Sequence, residues 1–484
     1  MFNHIATKYR SYISVLLLAA CCIACNSGNG SERYKAKTDS AAAAPAHPYD
    51  STLAKGKVID SVFCKTQPTN SYALYLPTGY THKRPHPCIY FFDAHARGSL
   101  PLKTYKELAD KYGFVLVGSN VSKNGIPWPV TNDMVKVLFD DTRDKINIDP
   151  KRMYTSGFSG GSRVASSIAI FNGGITGVIG CAAGFPGIDR TIQNQFAYIG
   201  LVGEYDFNLM EMEHLDGVLE QNGFQHQLIV SEGVHGWAPA NEFQTALLWL
   251  QADAIKKQLI PKTDTALLLA LRADLEKRAK AARGNNDLIR EHQFLAGILK
   301  LLDGMIDIAA FKKQYTALDT SAAYKKEFAS LARQERIETN LQHELAQQYT
   351  SQDEKWWINK VSELEGLAAN AKSPRESGMN KRLINYLGLV SYLNITHALK
   401  TGDLANAEIY LRIFKLADPK NPDVPYLSAI FYAKKGLPQK ALEALHESLE
   451  LGYNDLNQLI NEPAFANLAA SPEFIKIIEK TRSN

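Results

Sequence analysis

The chain has 484 residues, 45% of them hydrophobic and 21% charged, with a formal net charge of +4. The length suggests two to four domains, and the balance is that of a folded globular protein. So slight a positive excess, with no long Lys/Arg run, argues against a nucleic-acid partner.

The first ten residues, "MFNHIATKYR", place Lys8 and Arg10 ahead of the short apolar run "SYISVLLLAACCIAC". A basic segment, an apolar core and small residues are the layout of a secretory signal, and the core is too short to span a bilayer comfortably. "LAAC", Leu18 to Cys21, resembles the lipobox of bacterial lipoproteins; "CIAC", ending at Cys25, matches less well. The resemblance implies a signal peptide over residues 1–20, acylation of Cys21 and a lipid-anchored protein of the cell envelope. The residue after Cys21 is not Asp, which by the same resemblance favours the outer membrane. Residues 26–48 lack apolar periodicity and are rich in Ser, Ala, Gly and Asn, so 21–49 read as a flexible tether. Beyond the export signal three cysteines remain, Cys64, Cys88 and Cys181, so at most one disulfide forms within the chain. Whether Cys64 and Cys88 pair stays open, while Cys181, in "VIGCAAG", reads as a buried thiol.

From residue 50 to 258 short apolar runs alternate with helical patterns. "KVIDSVFC" and "SYALYLP" predict two leading strands. "CIYFFDA" predicts a third, before a helix in "PLKTYKELADKYG". "FVLVGSN" is a strand, "TNDMVKVLFDDTRDKI" a helix, "RMYTSGF" a strand and "GGSRVASSIAIFN" a helix. "VIGCAAG", "FAYIGLVGEYD" and "HQLIVSEG" are three further strands; "LMEMEHLDGVLEQNG" separates the last two and "NEFQTALLWLQADAIKK" closes the region. Strands apolar on both faces with helices between them predict a parallel sheet covered by helices on both sides, an α/β fold.

Residues 259–385 are rich in Ala, Leu, Glu, Lys and Gln at helical spacing and read as a helical connector, broken by a loop at "SPRESG", Ser373–Gly378. The tandem Trp356–Trp357 lies in this segment, and about 100° between successive helical residues turns one indole inward and the other out. Residues 386–484 repeat: "ALKTGDLANAEIYLRIFKL" aligns with "YAKKGLPQKALEALHESLEL", with Gly402 and Gly436, and Ala407 and Ala441, each 34 residues apart. That is the period of tetratricopeptide repeats, paired stacked helices, and it offers a surface for a protein partner.

"TSGFSGGSRVA", Thr155 to Ala165, has the spacing G-x-S-x-G around Ser159. It follows a predicted strand and opens a predicted helix, the setting of a nucleophile elbow. Serine needs a base, and the base an orienting carboxylate. Asp206 ends the strand "YIGLVGEYD" and His235 follows the strand "HQLIVSEG", in the order Ser, Asp, His; Glu204 is a reserve acid. His214 lies inside a helical pattern and His226 at a strand start, so both are less suitable. The oxyanion of an acyl-transfer intermediate needs two backbone donors. Gly160 supplies one, and the loop "FDAHARG" offers Ala94, His95 and Ala96 for the other.

These residues carry a resemblance. Residues 50–258 resemble an α/β-hydrolase of the polyhydroxybutyrate depolymerase, feruloyl esterase and dienelactone hydrolase kind, on "SYALYLPTGY" and on "NIDPKRMYTSGFSGGSRVA". The resemblance implies an α/β-hydrolase sheet with helices on both faces, which the all-α, tetratricopeptide-like region read from the repeat period then follows. It also implies hydrolysis of carboxylic esters through an acyl-enzyme without metal or organic cofactor. The loop at Ala94–Ala96 departs from the His-Gly-Gly pattern of many esterases. Only about ten residues join "CAAGFPG" to "FAYIG", leaving little room for a lid, which suits a bulky or polymer-linked ester. Asn120 and Lys123, in "GSNVSKNG", and the rings of Trp128 and Trp237 are candidates to touch it, with Asn120 and Trp237 foremost. Two other functions fit the same sequence: a scaffold lipoprotein that acts through its repeats, and a serine peptidase.

Overall fold

The computed structural model describes residues 49–187, 192–262 and 265–483; the signal, Cys21 and almost all of the tether lie outside them. The seven residues of the third strand, "HPCIYFF", are all buried. A strand with no polar face needs cover on both sides, and the chain supplies it. The strands are β1 (Val58–Phe63), β2 (Ser71–Tyr75), β3 (His86–Phe92), β4 (Val115–Ser119), β5 (Ile148–Phe158), β6 (Gly177–Cys181), β7 (Ala197–Gly203) and β8 (His226–Ser231). They form one sheet in the order β1-β2-β4-β3-β5-β6-β7-β8. β1 and β2 are antiparallel to their neighbours, and the other strands pair in parallel.

Alternate side chains divide between two cores. Ile89 and Phe91 of β3 and Tyr154 and Phe158 of β5 face one side. There they meet α1 (Ser99–Tyr112) and α5 (Ala240–Lys256). Cys88, Tyr90, Phe92 and Met153 face the other. That side is covered by α2 (Trp128–Lys145), α3 (Gly160–Phe171) and α4 (Leu209–Gln221). Period two in each strand therefore sets both layers.

In open α/β sheets ligands bind where the strand order reverses. From β3 the chain moves outward to β4, then returns to place β5 on β3's other side. β3 and β5 thus flank the point where the winding direction reverses. Phe92 pairs with Gly157 there, side by side with the start of the loops after both strands.

By contacts the chain divides into two units, residues 49–203 with 208–332, and Glu204–Phe207 with 333–484. The first runs well past the sheet. α6 (Thr265–Gly284), α7 (Leu288–Leu302) and α8 (Ala309–Asp319) join its larger core through Leu268, Leu271, Leu275, Ile298, Leu301 and Phe311, which explains why α5 is buried nearly all round. The helical connector expected over 259–385 is accordingly divided between the units. The free thiols Cys64, Cys88 and Cys181 are all buried, and no disulfide links them.

The second unit is helical. It takes the latter part of α9 (Ala322–Gln348), then α10 (Glu354–Ala369), α11 (Pro374–Thr401), α12 (Leu404–Ala417), α13 (Asp423–Lys434), α14 (Pro438–Glu450), α15 (Leu456–Asn461) and α16 (Pro472–Ser483). "SPRESG" is not a loop through its length. Ser373 is the N-cap, its Oγ accepting from the Glu376 N–H at 3.2 Å, and Pro374 opens the helix. The Glu376 carboxylate reaches back to the Lys372 N–H at 3.0 Å. Pro at a first helical position and a Ser-x-x-Glu box start helices, so residues that resemble a breaker nucleate α11. Gly402 and Gly436 sit at positive φ, 81° and 71°, where α11 and α13 end, and Ala407 and Ala441 are fully buried. Trp357 is fully buried beside the partly exposed Trp356. No helix of the described residues is long and apolar enough to cross a membrane.

Candidate active site

Ser159 stands between β5 and α3 with φ 54° and ψ −121°. A non-glycine residue there carries strain of about 1–3 kcal/mol, so the surroundings must impose it. They do so by crowding. A Cβ on Gly161 would lie 1.9 Å from the Phe92 carbonyl oxygen, and one on Gly157 2.1 Å from that of Gly161. Without side chains at these two positions α3 packs directly on β3 and β5 and the turn is held sharp. The Ser159 N–H donates to the Cys181 carbonyl at 2.9 Å, and its own carbonyl accepts from the Ser162 N–H at 2.9 Å. The backbone of the serine is fixed on both sides.

His235 lies in the loop between β8 and α5. Its Nε2 is 2.9 Å from Ser159 Oγ, so the ring accepts the hydroxyl proton when Nδ1 carries the hydrogen. The ring packs on Phe158, centroids 4.8 Å apart. Gly203 permits the close approach of the loops beyond β7 and β8: a Cβ there would stand 2.4 Å from the Gly233 carbonyl oxygen. Asp206 follows β7 by three residues and is fully buried. Asn208, two residues on, donates to the Ala182 carbonyl at 2.8 Å. His226 is committed elsewhere, its two ring nitrogens 2.8 Å from Asp216 and 2.9 Å from Glu220.

The loop after β3 narrows the choice of oxyanion donors. The His95 N–H donates to Asp93 Oδ1 at 2.8 Å and the Ala96 N–H to the Asp93 carbonyl at 3.2 Å, so both expected donors are engaged inside the turn. The other anticipated groups are the N–H of Ala94, which opens this turn, and that of Gly160, the first residue of α3.

Three of the substrate-contact candidates, Asn120, Trp237 and Trp128, have partners within the fold. Asn120 donates its amide to the Asp60 carbonyl at 2.9 Å, tying the end of β4 to β1. Trp237 donates its indole N–H to Asp93 Oδ2 at 2.8 Å and packs on Phe91 and Phe158. Trp128 packs on Phe171. Asn124, four residues past Asn120, also lies beside the elbow. Its N–H donates to the Ala94 carbonyl at 2.9 Å, and its Oδ1 stands 1.8 Å from where a Gly160 Cβ would be. Asn124 and Asp93 were not singled out by the sequence. The only signal was that each lies in a loop at the carboxyl end of a strand beside the elbow. Among the described residues no cluster of His, Cys, Asp and Glu is arranged to hold a metal ion.

The sheet order and the elbow are consistent with an α/β-hydrolase fold. No family model matches the chain, and no curated protein does. Solved structures align with part of it at low identity. An S-formylglutathione hydrolase from Staphylococcus aureus is 12% identical over 40% of this chain and 96% of its own, with a TM-score of 0.34. An esterase from Pyrobaculum calidifontis is 15% identical over 43% and 87%, TM-score 0.34. A ferulic acid esterase is 16% identical over 40% and 94%, TM-score 0.33.

Proposed function

We propose that this chain is a lipid-anchored serine hydrolase that cleaves carboxylic esters, and that Ser159, His235 and Asp206 are its nucleophile, base and orienting acid. The observation that carries the reading is the Ser159 Oγ to His235 Nε2 distance of 2.9 Å at a strained strand-to-helix turn. A packing serine does not require that backbone, and a solvated loop histidine does not require that partner.

In this mechanism His235 Nε2 takes the Oγ proton as Oγ attacks the ester carbonyl carbon. The carbonyl π electrons move to oxygen, and the N–H groups of Gly160 and Ala94 receive the oxyanion. The electrons return, the alcohol leaves with the proton from His235, and the acyl group stays on Ser159. Water, deprotonated by His235, then attacks the acyl carbon and releases the acid and the free serine. Asp206 is the proposed orienting acid by its place in the order Ser, Asp, His. Ser159 and His235 both keep partial exposure, which suits an ester too bulky to be enclosed, such as a polymer-linked one. The lipobox-like Cys21 would place this chemistry at the cell envelope, with the paired helices of 386–484, tetratricopeptide-like in period, available to a protein partner.

The test is turnover of p-nitrophenyl acetate by the full chain and its Ser159→Ala and His235→Ala variants. The reading expects losses of about 10⁴-fold or more in both. Wild-type inactivity, or survival of turnover in either variant, contradicts it. Radiolabelled fatty acid incorporated into the wild type but not into Cys21→Ser tests the anchor.

A further inference from the structure

We infer that Asp93 is a positioning residue that locks the oxyanion loop and the histidine loop to each other; the inference rests on the serine-hydrolase reading above. Asp93 directly follows β3 and its side chain is wholly shielded from solvent. A carboxylate in such a place is costly unless every lone pair is used. Here they are used by two separate loops. Oδ1 accepts from the His95 N–H at 2.8 Å and from Arg97 Nε at 2.9 Å. Oδ2 accepts from Arg97 Nη2 at 3.1 Å and from Trp237 Nε1 at 2.8 Å. Arg97 thus grips both oxygens in a fork, which fixes the carboxylate in plane and rotation.

The consequence lies in what the donors belong to. His95 and Arg97 shape the turn whose first residue, Ala94, carries a candidate oxyanion N–H. Trp237 is two residues beyond His235, and its ring packs on Phe158, next to Ser159, with centroids 5.9 Å apart. Asp93 and Trp237 are 144 positions apart in sequence, so no local geometry joins the two loops. The carboxylate does, and with Phe158 between them it sets the oxyanion donor, the base and the nucleophile in one frame. Catalysis is sensitive to such placement: an error of about 1 Å in a reacting group costs on the order of 100-fold. Asp93 touches neither Ser159 nor the reacting carbonyl, so its effect appears in kcat and not in substrate affinity.

The test uses two variants of the full chain. Asp93→Asn keeps shape but sets an amide donor against Trp237 or Arg97. Trp237→Phe keeps ring packing and removes only the N–H. Each is assayed with p-nitrophenyl acetate and with a fluorophosphonate probe, at a temperature where thermal melting shows it folded. The expected result is a fall in kcat and in labelling rate of about 10- to 100-fold for Asp93→Asn and a smaller one for Trp237→Phe, with KM within about threefold. The double variant should lose no more than Asp93→Asn alone, since both remove one link. Wild-type rates in both folded variants overturn the inference and leave the serine-hydrolase reading standing. So does a rise in KM with unchanged kcat. A wild type that neither labels nor turns over fails at the earlier step and overturns both. If Asp93→Asn does not fold, Trp237→Phe decides alone.

Discussion

Asp93 is the residue whose charge the site can least spare. Burial pushes its carboxyl up, but the Arg97 fork, the indole and the His95 N–H outweigh that and hold it below the usual carboxylate range. A carboxyl lowered on folding stabilises the fold above its unfolded value, about 3.9, and that contribution disappears as pH falls through the lower folded value. The Tm gap between wild type and Asp93→Asn is therefore expected to be full at pH 7 and to close in the acid range below about pH 4. A gap that stays constant down to pH 3 would mean that Asp93 is not held as the anion. The thiols behave in the opposite sense. Burial raises Cys64 to about 11 and Cys181 to about 12, and Cys88 is buried as well. None of the three is a reactive thiolate at neutral pH. A thiol reagent should find no accessible group among them in the native protein and all three after denaturation. Rapid native labelling of any of them would contradict the packing described.

At the level of elements, the elbow depends on three chain segments touching without side chains. Gly161→Ala drives a methyl to within 1.9 Å of the Phe92 carbonyl oxygen, and that atom is backbone of a central strand with no freedom to retreat. The expected cost is about 1–3 kcal/mol of stability by denaturant unfolding, with loss of labelling at Ser159. Unchanged stability and labelling would show that α3 is not seated as described. The elbow was legible in the sequence because a motif, a strand pattern and a helix pattern coincide around Ser159. The places of Asp206 and His235 beyond β7 and β8 were legible because each follows an apolar run. The contacts of Asn120 and Trp237 were not, because a side chain with a polar group in a loop beyond a strand looks the same whether it faces ligand or the protein itself. Asn120 turns back to the Asp60 carbonyl and Trp237 to Asp93, and only the sheet order brings those partners within reach. "SPRESG" misled for a related reason, since Ser, Pro and Gly mark helix starts as readily as loops.

For the molecule as a whole, the alternation of strands and helices over 50–258 gave the α/β sheet, while the place of α6–α8 was hidden. Their apolar stripes show that they pack, and say nothing of what they pack on. Trp357, fully buried in the core of the helical unit, offers a check on that unit by itself. Trp357→Ala is expected to cost about 3–5 kcal/mol, read as a lowered midpoint in denaturant. A shift under about 1 kcal/mol would mean that the indole is not the keystone of that core. The central claim, that this molecule is an enzyme with Ser159 as nucleophile, has the most direct test in fluorophosphonate labelling of the full chain followed by mass spectrometry of the modified peptide. The account predicts a single adduct on Ser159, absent from Ser159→Ala and slowed about 10⁴-fold or more in His235→Ala. A folded wild type that takes no label, or takes it on another residue, would contradict it.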